Sequence, residues 1–163
     1  MLVRRARLED AAAIAEVHVR TWQAAYEHVF GAERLAGLDL AAREGLARRF
    51  ATDPEQDAFV AEEDGRIAGF VATGPPEDDG EERELYAIYV LPEAWGSAAG
   101  TGLMQAAVEA MRARGAPDAI LWVLEDNPRA RRFYEREGWV EDGSAESEYL
   151  GLTVAVARYR IRL

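Results

Sequence analysis

The chain has no cysteine and only two histidines, His18 and His28. The first absence excludes disulfides, thiolate metal sites and a cysteine nucleophile. The second speaks against a histidine-built centre, so no metal is expected. No apolar run approaches the ~20 residues that cross a bilayer. The opening MLVRRARLED lacks the apolar core of a secretion signal. A cytoplasmic protein without a membrane partner is the expectation. Positive charge is short too: 19 Lys and Arg face 30 Asp and Glu, a net charge of -11 at pH 7. That balance opposes binding to nucleic acid. It favours a cationic partner, although solubility alone accounts for it.

What is present reads as one domain over residues 1–163. Hydrophobic residues make up 49% of it, enough for a real core. Residues 3–8 alternate apolar and basic, as a half-buried strand does. Asp10 can cap a following helix, in which Ile14, Val17, His18, Thr21 and Trp22 fall on one face. Trp22 and Tyr26, four apart, either pack the core or line a substrate pocket. Gly31 and Gly37 punctuate a connection. A second helix runs over about 41–50 with Leu46 and Phe50 inward, and Asp53-Pro54 ends it. Strands over 58–63 and 66–73 flank Asp64-Gly65, a strong hairpin signal. Residues 77–84 then hold six carboxylates against Arg83. They form either a solvated tip or a lure for cationic substrates.

The stretch 85–102, LYAIYVLPEAWGSAAGTG, organises the rest. A strand runs into Pro92, a small-residue loop follows, and a helix starts near Thr101 with Leu103, Ala107, Ala110 and Met111 on its apolar stripe. Strand, glycine loop and helix N-terminus together make a phosphate-binding arrangement. Gly115 and Pro117 stop the helix. AILWVL at 119–124 suits a central strand covered on both faces and parallel to the one before, which completes a βαβ unit. Asn127-Pro128 starts another helix, with Ala130, Phe133, Tyr134 and Glu137 on one face. A short strand at 139–141, a polar turn at 142–147 and a last strand at 152–163 close the chain.

The order of elements, the loop at 92–102 and NPRARRFYEREGW at 127–139 resemble the GNAT superfamily of acetyl-CoA-dependent N-acetyltransferases. The second stretch matches its pattern of Asn, two residues, Ala, two residues, Phe-Tyr, three residues, Gly-aromatic. The loop departs from the family pattern at Trp95 and Ala98, yet neither change removes an N–H donor. The resemblance implies an α/β (α+β) fold: a mixed, mostly antiparallel sheet of six to seven strands flanked by about four helices. Its central parallel pair, about 84–91 and 119–124, is splayed.

The resemblance further implies acetyl transfer from acetyl-CoA to a primary amine by direct attack. Tyr134 would be the acid for the CoA thiolate. Glu84 would be the base, if it does not merely extend the acidic tip. Strand alternation places Glu84 on one face with Tyr86 and Ile88. The pyrophosphate would rest on the backbone of Gly96, Ser97, Ala98, Ala99, Gly100 and Thr101. The pantetheine arm would lie along Ile88, Tyr89 and Val90, with the N–H of Tyr89 or Val90 polarising the thioester. Asn127, Ala130 and Phe133 would complete the CoA site. Arg131 would reach the 3′-phosphate unless it pairs with Glu135 on a solvated arginine-rich face. Trp22, Tyr26 and Tyr86 would receive a small-molecule or peptide amine. The resemblance also implies a homodimer through the C-terminal strands. An acyl-CoA-binding sensor without catalysis is the alternative.

Overall fold

Asp64 and Gly65 both take positive φ, 50° and 75°, as a two-residue hairpin turn requires. They join β2 (Asp57–Glu63) to β3 (Arg66–Gly74). β1 (Leu2–Arg5) pairs antiparallel with β2, and β4 (Arg83–Val90) pairs antiparallel with β3. The computed structural model describes all 163 residues and places seven strands in one sheet, ordered β1-β2-β3-β4-β5-β7-β6. β5 (Asp118–Leu124) runs parallel to β4, with α3 (Ala99–Ala113) as the crossover. β7 (Leu152–Arg162) pairs antiparallel with β5 and with β6 (Val140–Tyr149).

α1 (Ala11–Ala36) and α2 (Leu40–Thr52) cover one face of the sheet, and α3 and α4 (Pro128–Arg136) the other. Leu103, Met104, Ala107 and Met111 of α3 pack with Leu121, Tyr134 and Tyr159 on the second face. Ile14, Val17, Ala47 and Phe50 pack over Val60 and Phe70 on the first. No helix is long and apolar enough to cross a membrane.

Two features of β4 shape the site. It pairs with β5 only at its foot, Arg83 opposite Ala119 and Glu84 opposite Ile120. Beyond that point the two strands part. On its other side Ala72 opposes Ala87 while Thr73 opposes Leu85, so Tyr86 is the extra residue of a β-bulge. The bulge breaks the expected alternation. Tyr86 and Tyr89 side chains pack toward α1 and α2, whereas Ile88 and Val90 pack toward α3. Ile88 therefore does not share a face with Tyr86.

Other boundaries move for identifiable reasons. β1 ends at Arg5, because a 3-10 turn at Leu8–Asp10 intervenes. Gly31 (φ 78°, ψ 154°) breaks α1, but the helix resumes and runs to Ala36. α3 begins at Ala99, two residues before the expected start. The expected polar turn at 142–147 is instead the body of β6, and the turn is Leu150-Gly151. β6 is an edge strand whose side chains are mostly exposed, so burial leaves no alternation in its sequence. Asp142, at its bulge, is held by Arg158 and Arg160. Trp122 departs from the fully covered strand expected at 119–124. It is 39% exposed, at the place where β4 has turned away from β5.

Candidate active site

The parting of β4 and β5 opens a cleft of about 700 Å³ that runs from the start of α3 to the aromatic side of α1. Its first wall is the loop after β4. Pro92–Ala94 forms a 3-10 turn and Ala98 is the N-cap of α3. The N–H groups of Gly96, Ala98, Gly100 and Thr101 have no acceptor within the chain, and that of Ala99 is met by Ser97 Oγ at 3.2 Å. An anion at this helix start would gain those donors and the positive end of the helix dipole. Gly100 is needed for close packing: a Cβ there would lie 3.3 Å from the Phe133 ring.

Trp95, a departure from the family pattern, has a definite task. Its indole Nε1 donates to the Val90 carbonyl at 2.7 Å, which ties the loop to β4. The Arg129 guanidinium lies 3.5 Å from the centre of the indole ring, a cation–π contact that joins α4 to the loop.

The second wall is the open edge of β4. Leu91 N–H donates to Ala68 O, so Leu91 and, two residues back, Tyr89 are the ladder-bonded residues facing β3. Ile88 and Val90 therefore turn their N–H and C=O groups into the gap. On this register the Tyr89 N–H faces β3 rather than the cleft, while the Val90 N–H faces the gap. The Val90 carbonyl is already taken by Trp95 and by the Thr21 hydroxyl at 3.3 Å.

The far end is aromatic. Asn127 caps α4, its Oδ1 accepting from Ala130 N–H at 3.1 Å, while its Nδ2 donates to the Tyr26 hydroxyl at 3.0 Å. One side chain thus fixes α4 against α1. Trp22 and Tyr26 are both buried in the core and both line the cleft. Tyr149 of β6 packs 5.7 Å from Trp22. Tyr134 lines the cleft, and no hydrogen bond in the chain takes its hydroxyl. Burial, then the neighbouring Tyr26 and Tyr89, pushes this phenol well above its ordinary value, so it holds its proton. His18 also lines the cleft, its ring 4.9 Å from that of Tyr89. Burial and the nearby Arg43 lower it to about 4, so it is neutral at pH 7.

The charge of the lining inverts that of the chain. None of the 30 carboxylates lines the cleft, whereas Arg43, Arg129, Arg132 and Arg136 do. Glu84 stands just outside, at the last rung before the strands part. Burial, opposed by a backbone hydrogen bond, raises it to about 7. The acidic residues at 77–82 do not line the cleft, so a lure for cations finds no continuation there. No group of three His, Cys, Asp or Glu side chains is placed to hold a metal ion.

The structure brings together Tyr134, Tyr86, Ile88, Tyr89, Val90, Gly96, Ser97, Gly100, Thr101, Asn127, Ala130, Phe133, Trp22 and Tyr26 around one cleft. It leaves out Arg131. That side chain turns to the sheet, donating to Tyr159 Oη and Glu125 O and pairing with Glu141 rather than Glu135. The Ala98 and Ala99 side chains also lie off the cleft, which leaves only their backbone to contribute. Sequence reading missed His18, Arg43, Trp122 and Tyr149 as lining residues, and it named Arg131 where Arg129, Arg132 and Arg136 line the cleft. Arg43 did leave a signal: it occupies the inward stripe of α2 shared by Leu46, Ala47 and Phe50, where an apolar residue is usual.

Residues 11–139 match the acetyltransferase (GNAT) family. An uncharacterised N-acetyltransferase of Bacillus subtilis (strain 168), YuaI, is 34% identical over 129 residues, covering 77% of this chain and 73% of the relative. Among solved structures, PaiA N-acetyltransferase from Thermoplasma acidophilum in complex with coenzyme A superimposes with a TM-score of 0.77 at 18% identity, covering 96% of each chain. Ribosomal-protein-alanine N-acetyltransferase from Brucella melitensis does so at 0.79 and 22%, covering 100% of each. The chain belongs to the acetyltransferase (GNAT) family, whose members are acetyl-CoA-dependent acyltransferases.

Proposed function

We propose that the protein moves an acetyl group from acetyl-CoA to a primary amine by direct attack. The observation that carries this reading is the single cleft: unpaired N–H donors at the start of α3, an open β4 edge, and a Tyr134 hydroxyl without an internal partner. These features fit CoA by chemistry. The free N–H groups of Gly96, Ala98, Gly100 and Thr101 suit a pyrophosphate, with Arg129, Arg132 and Arg136 nearby for further phosphate charge. The gap-facing groups of Ile88, and the N–H of Val90, suit an amide-bearing arm laid as an extra strand. Asn127 contributes its remaining donor capacity, and Ala130 and Phe133 supply apolar contact.

Acetyl-CoA supplies the activated thioester; the chain's residues do the rest. The Val90 N–H polarises the carbonyl at which negative charge develops. Glu84, poised near pH 7 at the foot of the split, accepts the ammonium proton through water and so frees the attacking lone pair. Tyr86, the bulge residue between Glu84 and the open edge, lines the acceptor side with Trp22 and Tyr26. Tyr134 gives its proton to the departing sulfur as the C–S bond breaks. The second proton, shed by the new amide nitrogen, returns the phenol to its protonated form through solvent. A protonated phenol is the right donor, because a thiolate has a pKa of about 8.5 and takes a proton readily at neutral pH.

Thiol release from acetyl-CoA over a panel of amines tests this. Turnover with at least one primary amine is expected. Tight acetyl-CoA binding with no turnover over a broad panel would make the protein an acyl-CoA sensor. Absence of acetyl-CoA binding would remove both readings.

A further inference from the structure

Several of the chain's sequestered arginines are answered by carboxylates; Arg83 is met by the Glu55 carbonyl, and Arg43, in the acceptor half of the cleft, is met by no carboxylate. Arg4 pairs with Asp10 and Glu62, Arg114 with Asp57, and Arg131 with Glu141. Arg43 pairs with none of them. It lines the cleft, its Nε is buried without an acceptor, and no carboxylate lines the space in front of it. It belongs to α2, on the opposite sheet face from α3 and α4. The phosphates of CoA, seated at the start of α3, are thus on the wrong side to satisfy it. Its neighbour His18 is neutral at pH 7 and offers a ring nitrogen rather than a second charge.

A guanidinium presents paired N–H donors that match a carboxylate in two parallel hydrogen bonds. In a chain with 30 Asp and Glu, an intramolecular partner would have been easy to supply. The cleft leaves it open instead. The cleft volume of about 700 Å³, shared with the CoA arm, leaves room for a small acceptor. The aromatic rings of Trp22 and Tyr149 offer that acceptor an apolar wall.

We infer that Arg43 binds a carboxylate of the acceptor, so that the substrate class is small amino acids carrying both an amine and a carboxylate. This inference rests on the acetyltransferase reading and narrows it, setting aside polyamines and aminoglycosides, which carry no anion for Arg43.

The test reads binding, so it stands apart from turnover. The N-acetyl derivatives of the standard amino acids, and their C-terminal amides, are titrated calorimetrically onto CoA-saturated protein. At least one acid binds, and it binds tenfold or more tightly than its amide, on the order expected for a charge-assisted contact. R43Q abolishes the difference between acid and amide, R43K restores part of it, and CoA affinity stays unchanged in both. Failure of every N-acetyl amino acid to bind wild-type protein overturns the inference. Equal binding of acid and amide by the wild type also overturns it, whether or not R43Q folds. Retention of the full acid preference in R43Q overturns the assignment to Arg43. O-phosphoethanolamine binding through Arg43 without any carboxylate binding would overturn the choice of anion. Protein that binds these ligands yet releases no thiol from acetyl-CoA would contradict the transferase reading alone.

Discussion

The two halves of the cleft are built from opposite materials. Toward α3 and α4 the lining is backbone N–H and arginine, with Trp95 and Arg129 stacked as a strut between loop and helix. Toward α1 and α2 it is aromatic rings, a neutral His18 and one unanswered Arg43. The first half depends on main-chain geometry, which tolerates side-chain change; Ala98 and Trp95 stand at family-pattern positions without removing a donor. The second half depends on side-chain identity. A shared cofactor requires the first arrangement, and discrimination among acceptors requires the second. The bulge at Tyr86 lies between them: it puts Tyr86 and Ala87 on the α1–α2 face and shifts Ile88 and Val90 to the α3 face.

Substitutions in each half are expected to separate cofactor effects from acceptor effects. Tyr134→Phe removes the proton donor at the junction; kcat is expected to fall about 10²–10⁴-fold, with acetyl-CoA affinity held. Equal loss of affinity would make the residue a packing group. Glu84→Gln is expected to cost roughly 10²-fold in kcat/KM. With Glu84 at about 7, wild-type activity should climb as pH rises through 7, because the carboxylate is the active form, and the variant should lose that limb. A persisting limb would assign the base elsewhere. Arg129→Ala breaks the strut over Trp95 and is expected to raise the KM for acetyl-CoA roughly tenfold with little change in acceptor KM. An acceptor effect instead would blur the two halves.

The last effect concerns stability rather than rate. His18 titrates at about 4 in the folded chain against 6.5 unfolded, so the unfolded state takes the proton first as pH falls. Its contribution is fully present above 6.5 and is lost on descending toward 4, a swing of about 3 kcal/mol at most. Denaturant melts at pH 7 and pH 4.5 should show this loss, and H18Q should reduce it. An unchanged pH dependence in H18Q would mean that His18 is solvated.

Much of the first half was legible in the sequence because short-range rules govern it. Asn127-Pro128 specified a capped helix start, and the spacing to Phe133, Tyr134 and Gly138 carried the family pattern. Asp64-Gly65 fixed the hairpin, and the βαβ unit placed the loop. The second half was hidden, since long-range register made it. A bulge at Tyr86 arises from pairing with Ala72 and Thr73, which no local pattern states, and it took Ile88 off the face of Tyr86. The parting of β4 from β5 uncovered Trp122, which an apolar run had placed in a covered strand. Edge strand β6 kept most of its side chains in water and so looked like a turn. Arg131 was chosen among four arginines on a nine-residue helix, and the sheet-facing Tyr159 and Glu141 claimed it.

A crystal structure with CoA bound tests the central claim most directly. The account predicts pyrophosphate on the N–H groups between Gly96 and Thr101, the arm along Ile88 and Val90, and the sulfur within hydrogen-bond reach of the Tyr134 hydroxyl. A sulfur held away from Tyr134, or an arm that avoids the open edge of β4, would contradict it.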